Sequence, residues 1–268
     1  MRLVWILTLL GAVCAWAGVD EDWQDQFNQA SRAAALKDFP GAEAAYARAL
    51  KTAELFGNND KRVASTVQGR ANLYRAEKKL PEAEEDARRA LAIYAVDPGD
   101  KSMEFGETQF ILAGILIDES KYDIALDAVR RALPIYEQNL GPNSSQVEDA
   151  TCMLGSVFVQ LKRYASAEAP LRRCADLRAD DGGVSTADFG DVAFSLAVVF
   201  QRLGNLSDSE KYFTLAEHIR EKIFGISSLP FADTLDAHAS LLRQLGREDD
   251  AKNNEKMAAS IRALNRKK

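Results

Sequence analysis

Small and apolar residues recur along this chain about every 42 positions, and each recurrence predicts an element. Gly57, Gly99, Gly141, Gly183 and Gly225 stand 42 apart, and glycine suits a helix that stops in a left-handed residue. A second ladder, Ala42, Ala83, Ala125, Ala167, Ser209 and Ala251, is joined seven residues on by Ala49, Ala90, Ala132, Cys174, Ala216 and Ala258. Residues seven apart share one helix face, so these side chains predict a helix pressed closely against a neighbour. The neighbour is marked twelve residues upstream by Ala30, Ala71, Ala113, Gly155, Ala197 and Ala239, with Ala33, Tyr74, Leu116, Phe158, Phe200 and Leu242 three further on. Between the two lies a short turn: Lys37-Asp38, Lys78-Lys79, Ser120-Lys121, Lys162-Arg163, Gly204-Asn205 or Gly246-Arg247. A turn this short forces an antiparallel helix pair.

Segments such as Leu112 to Tyr136 and Leu154 to Leu177 carry small residues on both helices and an aromatic between them, and they resemble the tetratricopeptide repeat. The resemblance implies an all-α fold, an α-solenoid (superhelix) of six antiparallel helix pairs, at about 22–57, 58–99, 100–141, 142–183, 184–225 and 226–268. The usual period is about 34. The longer one here, with Leu140-Gly141-Pro142-Asn143 and Phe231-Ala232-Asp233-Thr234-Leu235, resembles the kinesin light chain type and implies long hairpins. Glu255 and Glu248 stand at sites that are apolar or aromatic in other repeats, and Gln26 and Gln29 replace leucine-type residues near the start. Burying an unpaired carboxylate is costly, so both ends are expected to be polar caps, with no length left for a separate catalytic domain.

Residues 1–17 read differently. Arg2 precedes an apolar run from Leu3 to Val13, broken only by Thr8 and Gly11, and Ala15-Trp16-Ala17 follows. This is the order of a secretory signal peptide, with cleavage expected before Gly18 and a mature repeat domain over 18–268. The run is too short for a membrane span. A lipidated Cys14 and a retained anchor are the alternatives. The expected location is the periplasm or the extracellular space.

Composition narrows the function. With 34 Lys and Arg against 40 Asp and Glu, the net charge is -6, so the chain as a whole attracts neither nucleic acid nor anionic lipid. No zinc-protease helix, phosphate-binding loop, nucleophile elbow or CxxC pair occurs, and no catalytic residue, metal site or cofactor is expected. His218 and His238 fall in different repeats and read as structural. Cys152 and Cys174 fall on opposite helices of one hairpin. An exported chain could join them, but Cys174 holds an alanine site, and a free, buried thiol is the favoured reading. Asp176, Asp180 and Asp181, with Gly182 and Gly183, lack EF-hand spacing and read as a solvated turn. Asn143-Ser144-Ser145 and Asn205-Leu206-Ser207 fit the glycosylation rule, which matters only on a eukaryotic secretory route.

The resemblance further implies that first helices line a concave groove for peptides. The residues facing it would be Phe27 and Asn28, Gln68 and Gly69, Phe110 and Ile111, Cys152 and Met153, Phe194 and Ser195, and Asp236 and Ala237. Of the asparagines that the kinesin light chain type carries there, Asn28 remains. Phe110 and Phe194, with Glu107, Asp149, Asp191 and Asp233 at 42-residue spacing, are the candidate partner-binding residues. The acids also fit simple stabilisation of helix starts, and the aromatics fit packing between repeats. The expected function is a non-enzymatic interaction scaffold for a protein or peptide, basic or amphipathic in character, with no nucleic acid and no stable membrane span. The alternatives are an accessory or catalytic protein acting on envelope polymers, or a purely structural subunit.

Overall fold

The computed structural model describes residues 2–180 and 186–266. Twelve α-helices and no strand occur among the described residues: α1 (Arg2–Ala35), α2 (Phe39–Ala53), α3 (Lys61–Ala76), α4 (Leu80–Tyr94), α5 (Met103–Asp118), α6 (Tyr122–Leu140), α7 (Ser145–Gln160), α8 (Tyr164–Asp180), α9 (Ala187–Leu203), α10 (Leu206–Phe224), α11 (Leu229–Gln244) and α12 (Glu248–Asn265). The fold is all-α, of the α-solenoid class. It divides into two compact units, 1–135 and 136–268, with the division inside α6. In the first, α1 packs on α2, α2 on α3, α3 on α4 and α4 on α5; in the second, α7 packs on α8, α8 on α9, α9 on α10, α10 on α11 and α11 on α12. Apart from α1, each helix has 15 to 19 residues, so the hairpins are long. α1 is continuous across the expected cleavage point.

All three ladders of small residues lie in the core. Ala30, Ala71, Ala113, Ala197 and Ala239 are fully buried against the equally buried alanines of the second helices. A Cβ at Gly155 would meet the Leu171 side chain at 2.7 Å, which is why this rung is glycine. At Ser209 the hydroxyl donates to the Ala197 carbonyl at 2.8 Å, satisfying a polar atom at an alanine site.

Every turn inside a pair is closed in the same way. One residue takes a left-handed conformation: Lys37, Lys78, Ser120, Lys162, Gly204 and Gly246, with φ from 57° to 83°. The N–H of the next residue reaches back to the first helix, as in Asp38 to the Ala33 carbonyl (2.9 Å) and Arg247 to the Leu242 carbonyl (2.9 Å). Each later first helix begins with a capping side chain at a further 42-residue spacing: Asp60, Ser102, Ser144, Thr186 and Ser228. Gly57, Gly99, Gly141 and Gly225 stand three residues before four of these caps with positive φ, and each carbonyl accepts the cap's N–H. Gly183 and Asp181 lie outside the described residues.

One expectation is corrected. Cys152 and Cys174 form a disulfide, with Cα atoms 5.0 Å apart. Cys152 stands in register with Phe110 and Phe194, and Cys174 with Ala132 and Ala216. A bulky side chain and an alanine in other pairs are replaced here by two sulfurs, which fill the gap between α7 and α8. Cys152 is therefore buried and not offered to a groove. At the two ends, Gln26 accepts from Thr52 (2.9 Å), Gln29 accepts from Arg48 (2.9 Å), and Glu255 is paired with Arg243.

Candidate interaction face

Within each unit the first helices touch one another, α1 on α3 and α3 on α5 in one, α7 on α9 and α9 on α11 in the other. The four candidate acids share one register, the fifth residue of α5, α7, α9 and α11. That is beyond the first turn, where the helix dipole acts most strongly. First-turn acids are Glu104, Glu148 and Asp188, so capping electrostatics does not account for the stripe.

In the first unit, Glu107 is exposed and faces a hydroxyl and amide cluster. Desolvation of its carboxyl and the charge of Glu104 push its pKa above the usual carboxylate range, against a hydrogen bond from Gln68. The Gln68 carbonyl accepts from the Tyr94 hydroxyl at 3.2 Å, and that hydroxyl lies 2.9 Å from Ser65 Oγ. Burial raises the Tyr94 phenol as well. Beside the cluster is a cleft of about 640 Å³ lined by Phe56, Asp60, Ser65, Tyr94, Asp97 and Glu104. Phe110 is half-buried, three residues beyond Glu107.

The second unit meets its acids with arginines. Arg220 on α10 donates to Asp191 on α9 at 2.6 Å, to Thr234 Oγ1 at 2.7 Å and to the Pro230 carbonyl at 3.1 Å on α11. The Arg220 side chain is 8% exposed and that of Asp191 66%, so the cation is held inside while the carboxylate stays in water. Arg262 donates to Asp233 at 2.8 Å and also to Asp236. Arg178 donates to Glu148 at 2.8 Å, leaving the neighbouring Asp149 with a carboxyl raised by desolvation and by Glu148. Arg178, Arg220 and Arg262 stand 42 apart, each 29 residues after its acid of the stripe. This ladder was readable in the sequence, but a search for small and apolar repeats passes over it.

Phe194 is a packing residue as well as a candidate contact. Its ring lies edge-on to Phe213 at 6.0 Å, and the Arg220 guanidinium sits 4.5 Å above it. Phe27 similarly packs on Tyr46 at 6.0 Å. His238 is buried, stacked on Phe213 and bonded through Nδ1 to Glu217 at 2.8 Å, whereas His218 is exposed. Among the described residues no group of three or more His, Cys, Asp or Glu is placed to hold a metal ion.

Two models of the tetratricopeptide repeat match the chain, over residues 63–95 and 105–180. Over these residues the chain carries tetratricopeptide repeats. No curated protein matches its sequence significantly. Solved structures of similar fold include BtubC from P. vanneervenii, with a TM-score of 0.65 at 19% identity over 82% of this chain and 89% of that one. Another is a kinesin-light-chain-like repeat protein from Podospora anserina, with a TM-score of 0.62 at 15% identity over 74% and 94%. A third is YrrB, described as a tetratricopeptide-repeat protein with an unusual peptide-binding site, with a TM-score of 0.56 at 18% identity over 81% and 91%. In this tetratricopeptide-repeat chain no helix among the described residues is long and apolar enough to cross a membrane.

Proposed function

We propose that the chain is an exported, non-enzymatic scaffold that captures basic or amphipathic segments of partner proteins on its first-helix faces. The observation that carries the reading is the register of Glu107, Asp149, Asp191 and Asp233, whose side chains all reach solvent although two are held by arginines. A carboxylate fixed by an internal arginine is pre-oriented and keeps its outer oxygen for a second donor, whereas Glu107 and Asp149 lack such a bond and offer more net charge. Peptide binding by YrrB, a protein of similar fold, supports the class of partner. Exposed charge pairs contribute about 0–1 kcal/mol each, so the acids act mainly on association rate and partner choice, and apolar contacts such as Phe110 set affinity.

Two observations support export: the charged, apolar and small-residue order of residues 1–17, and a disulfide, which persists in oxidising compartments. Intact mass of the natively exported protein is expected to begin at Gly18; a full-length cytosolic chain contradicts export. Binding is tested by affinity capture from the extracytoplasmic fraction, followed by salt titration of the captured partner. Glu107→Gln with Asp149→Asn should weaken binding severalfold at low salt and little at high salt, while Phe110→Ala should weaken it at every salt concentration. If neither change alters binding, the first-helix face is not the site.

A further inference from the structure

The second unit leaves an apolar patch uncovered at the joint between its last two helix pairs. Ile223 and Phe224 end α10, Ile226 lies in the following loop, Leu229 begins α11 and Leu264 lies at the end of α12. All five are between 38% and 56% exposed. The pieces are tied together by Asn265, whose side-chain amide donates to the Ser227 carbonyl at 2.8 Å. The charge around the patch runs against that of the chain. Lys222 and Arg266 are exposed, Lys267 and Lys268 follow in the sequence, and Glu221 is the exposed acid within the loop and its flanking turn. Arg220 and Arg262 are occupied by Asp191, Asp233 and Asp236.

We propose that this patch docks the protein onto the surface of an anionic phospholipid bilayer, with Phe224, Ile226, Leu229 and Leu264 entering the headgroup boundary and Lys222 and Arg266 meeting lipid phosphates. Stable membrane attachment takes two signals, and apolar insertion and basic charge occur here together in a chain whose net charge is -6. A second copy fits less well. A two-fold interface would bring the same lysine and arginine against themselves, with little acid to neutralise them.

The full-length chain is mixed with vesicles of phosphatidylcholine alone or with about 30% phosphatidylglycerol, and the bound fraction is measured by sedimentation. Each cation near an anionic surface is worth about a fivefold factor in binding, so the anionic vesicles should bind at least tenfold better. The advantage should fall with added salt and with Lys222→Glu plus Arg266→Glu. Phe224→Ser with Ile226→Ser should abolish it, and because both residues are only about half covered the chain should keep a cooperative melting transition. The apolar segment Leu3–Val13 is common to all variants, and a Phe224→Trp chain reports the patch directly through quenching by brominated lipid. Absence of quenching, equal binding to neutral and anionic vesicles, or a wild-type dimer dissociated by Phe224→Ser with Ile226→Ser would overturn the proposal.

Discussion

In the first unit the last residue of α4 is Tyr94, whose hydroxyl meets Ser65 and Gln68; in the second unit the same register begins with Tyr136 and then turns to Arg178, Arg220 and Arg262, which bind carboxylates. The helix pairs follow the same plan, and the difference lies in the atom that closes the open end of the pair. No arginine pairs with Glu107, and desolvation together with the charge of Glu104 raises its pKa against the Gln68 hydrogen bond. A guanidinium compensates its acid and ties one pair to the next, as Arg220 does by joining α9, α10 and α11. Between pairs the first unit is richer in lysine bridges. Lys79 links Glu43 and Glu77, and Lys121 links Glu84 and Glu119. The second unit adds a covalent link, the disulfide between α7 and α8. Each unit has an arginine pair with one buried member, Asp86 with Arg70 in the first and Arg220 with Asp191 in the second; beyond these the first unit leans on lysine bridges and hydroxyls, and the second on further arginines and a disulfide.

The largest effect should come from removing the covalent link. Cys152→Ala with Cys174→Ala opens a loop spanning 22 residues of sequence. It should cost the second unit about 3 kcal/mol. Hydrogen exchange should show faster opening of α7 and α8 and unchanged α3 and α4; equal loosening of both would mean that the units do not differ in this respect. Next, Arg220→Met removes a nearly buried cation that serves three helices. Discounted for the exposure of Asp191, the loss should be about 2 kcal/mol, read from chemical denaturation.

Acid should discriminate in the other direction. The bond from Lys121, then that from Arg88, holds the Glu84 carboxyl at about 2, against desolvation and from an ordinary value of 4.5. A carboxylate depressed in the folded state gives stability that is complete above its unfolded pKa and is lost as pH falls from about 4.5 toward 2. The first unit should thus lose about 1–2 kcal/mol over that range, and Glu84→Gln should remove the dependence. If acid unfolds both units together and Glu84→Gln changes nothing, the lysine bridges are not what holds the first unit. The smallest effect is at the corners. Lys78→Gly relieves a left-handed non-glycine residue and should stabilise by about 0.5–1 kcal/mol, whereas Gly204→Ala should destabilise by a similar amount. Equal and opposite shifts in melting temperature would check both.

The fold was legible because close helix contact leaves a period in small residues, and Ala42, Ala83 and Ala125 can be found without knowing their partners. The site was legible only in part. Glu107, Asp149, Asp191 and Asp233 could be aligned by counting, but whether an acid is compensated depends on geometry across helices: Arg220 and Arg262 bind the acids 29 positions before them, whereas Arg178 takes Glu148 and leaves Asp149. Phe194 could be read as a groove contact or as packing between repeats, because its sequence neighbours do not reveal Phe213 and Arg220 against its ring. The disulfide escaped for a related reason. Cys174 fits an alanine site in size, and only its register opposite Cys152 shows that the two sulfurs fall within bonding reach.

The corner residues Lys37, Lys78, Ser120 and Lys162 are all exposed and share a left-handed backbone angle, with the Lys78 ammonium lying 3.7 Å from Asp118. Together with Gly204 and Gly246 they form a set of evenly spaced chemical handles, one per helix pair. Probes attached there, through lysine chemistry or single cysteines, would leave the core and the first-helix face untouched. Distances between such probes would give a ruler for the curvature of the repeat in solution, and for how far it stretches when a partner is taken up.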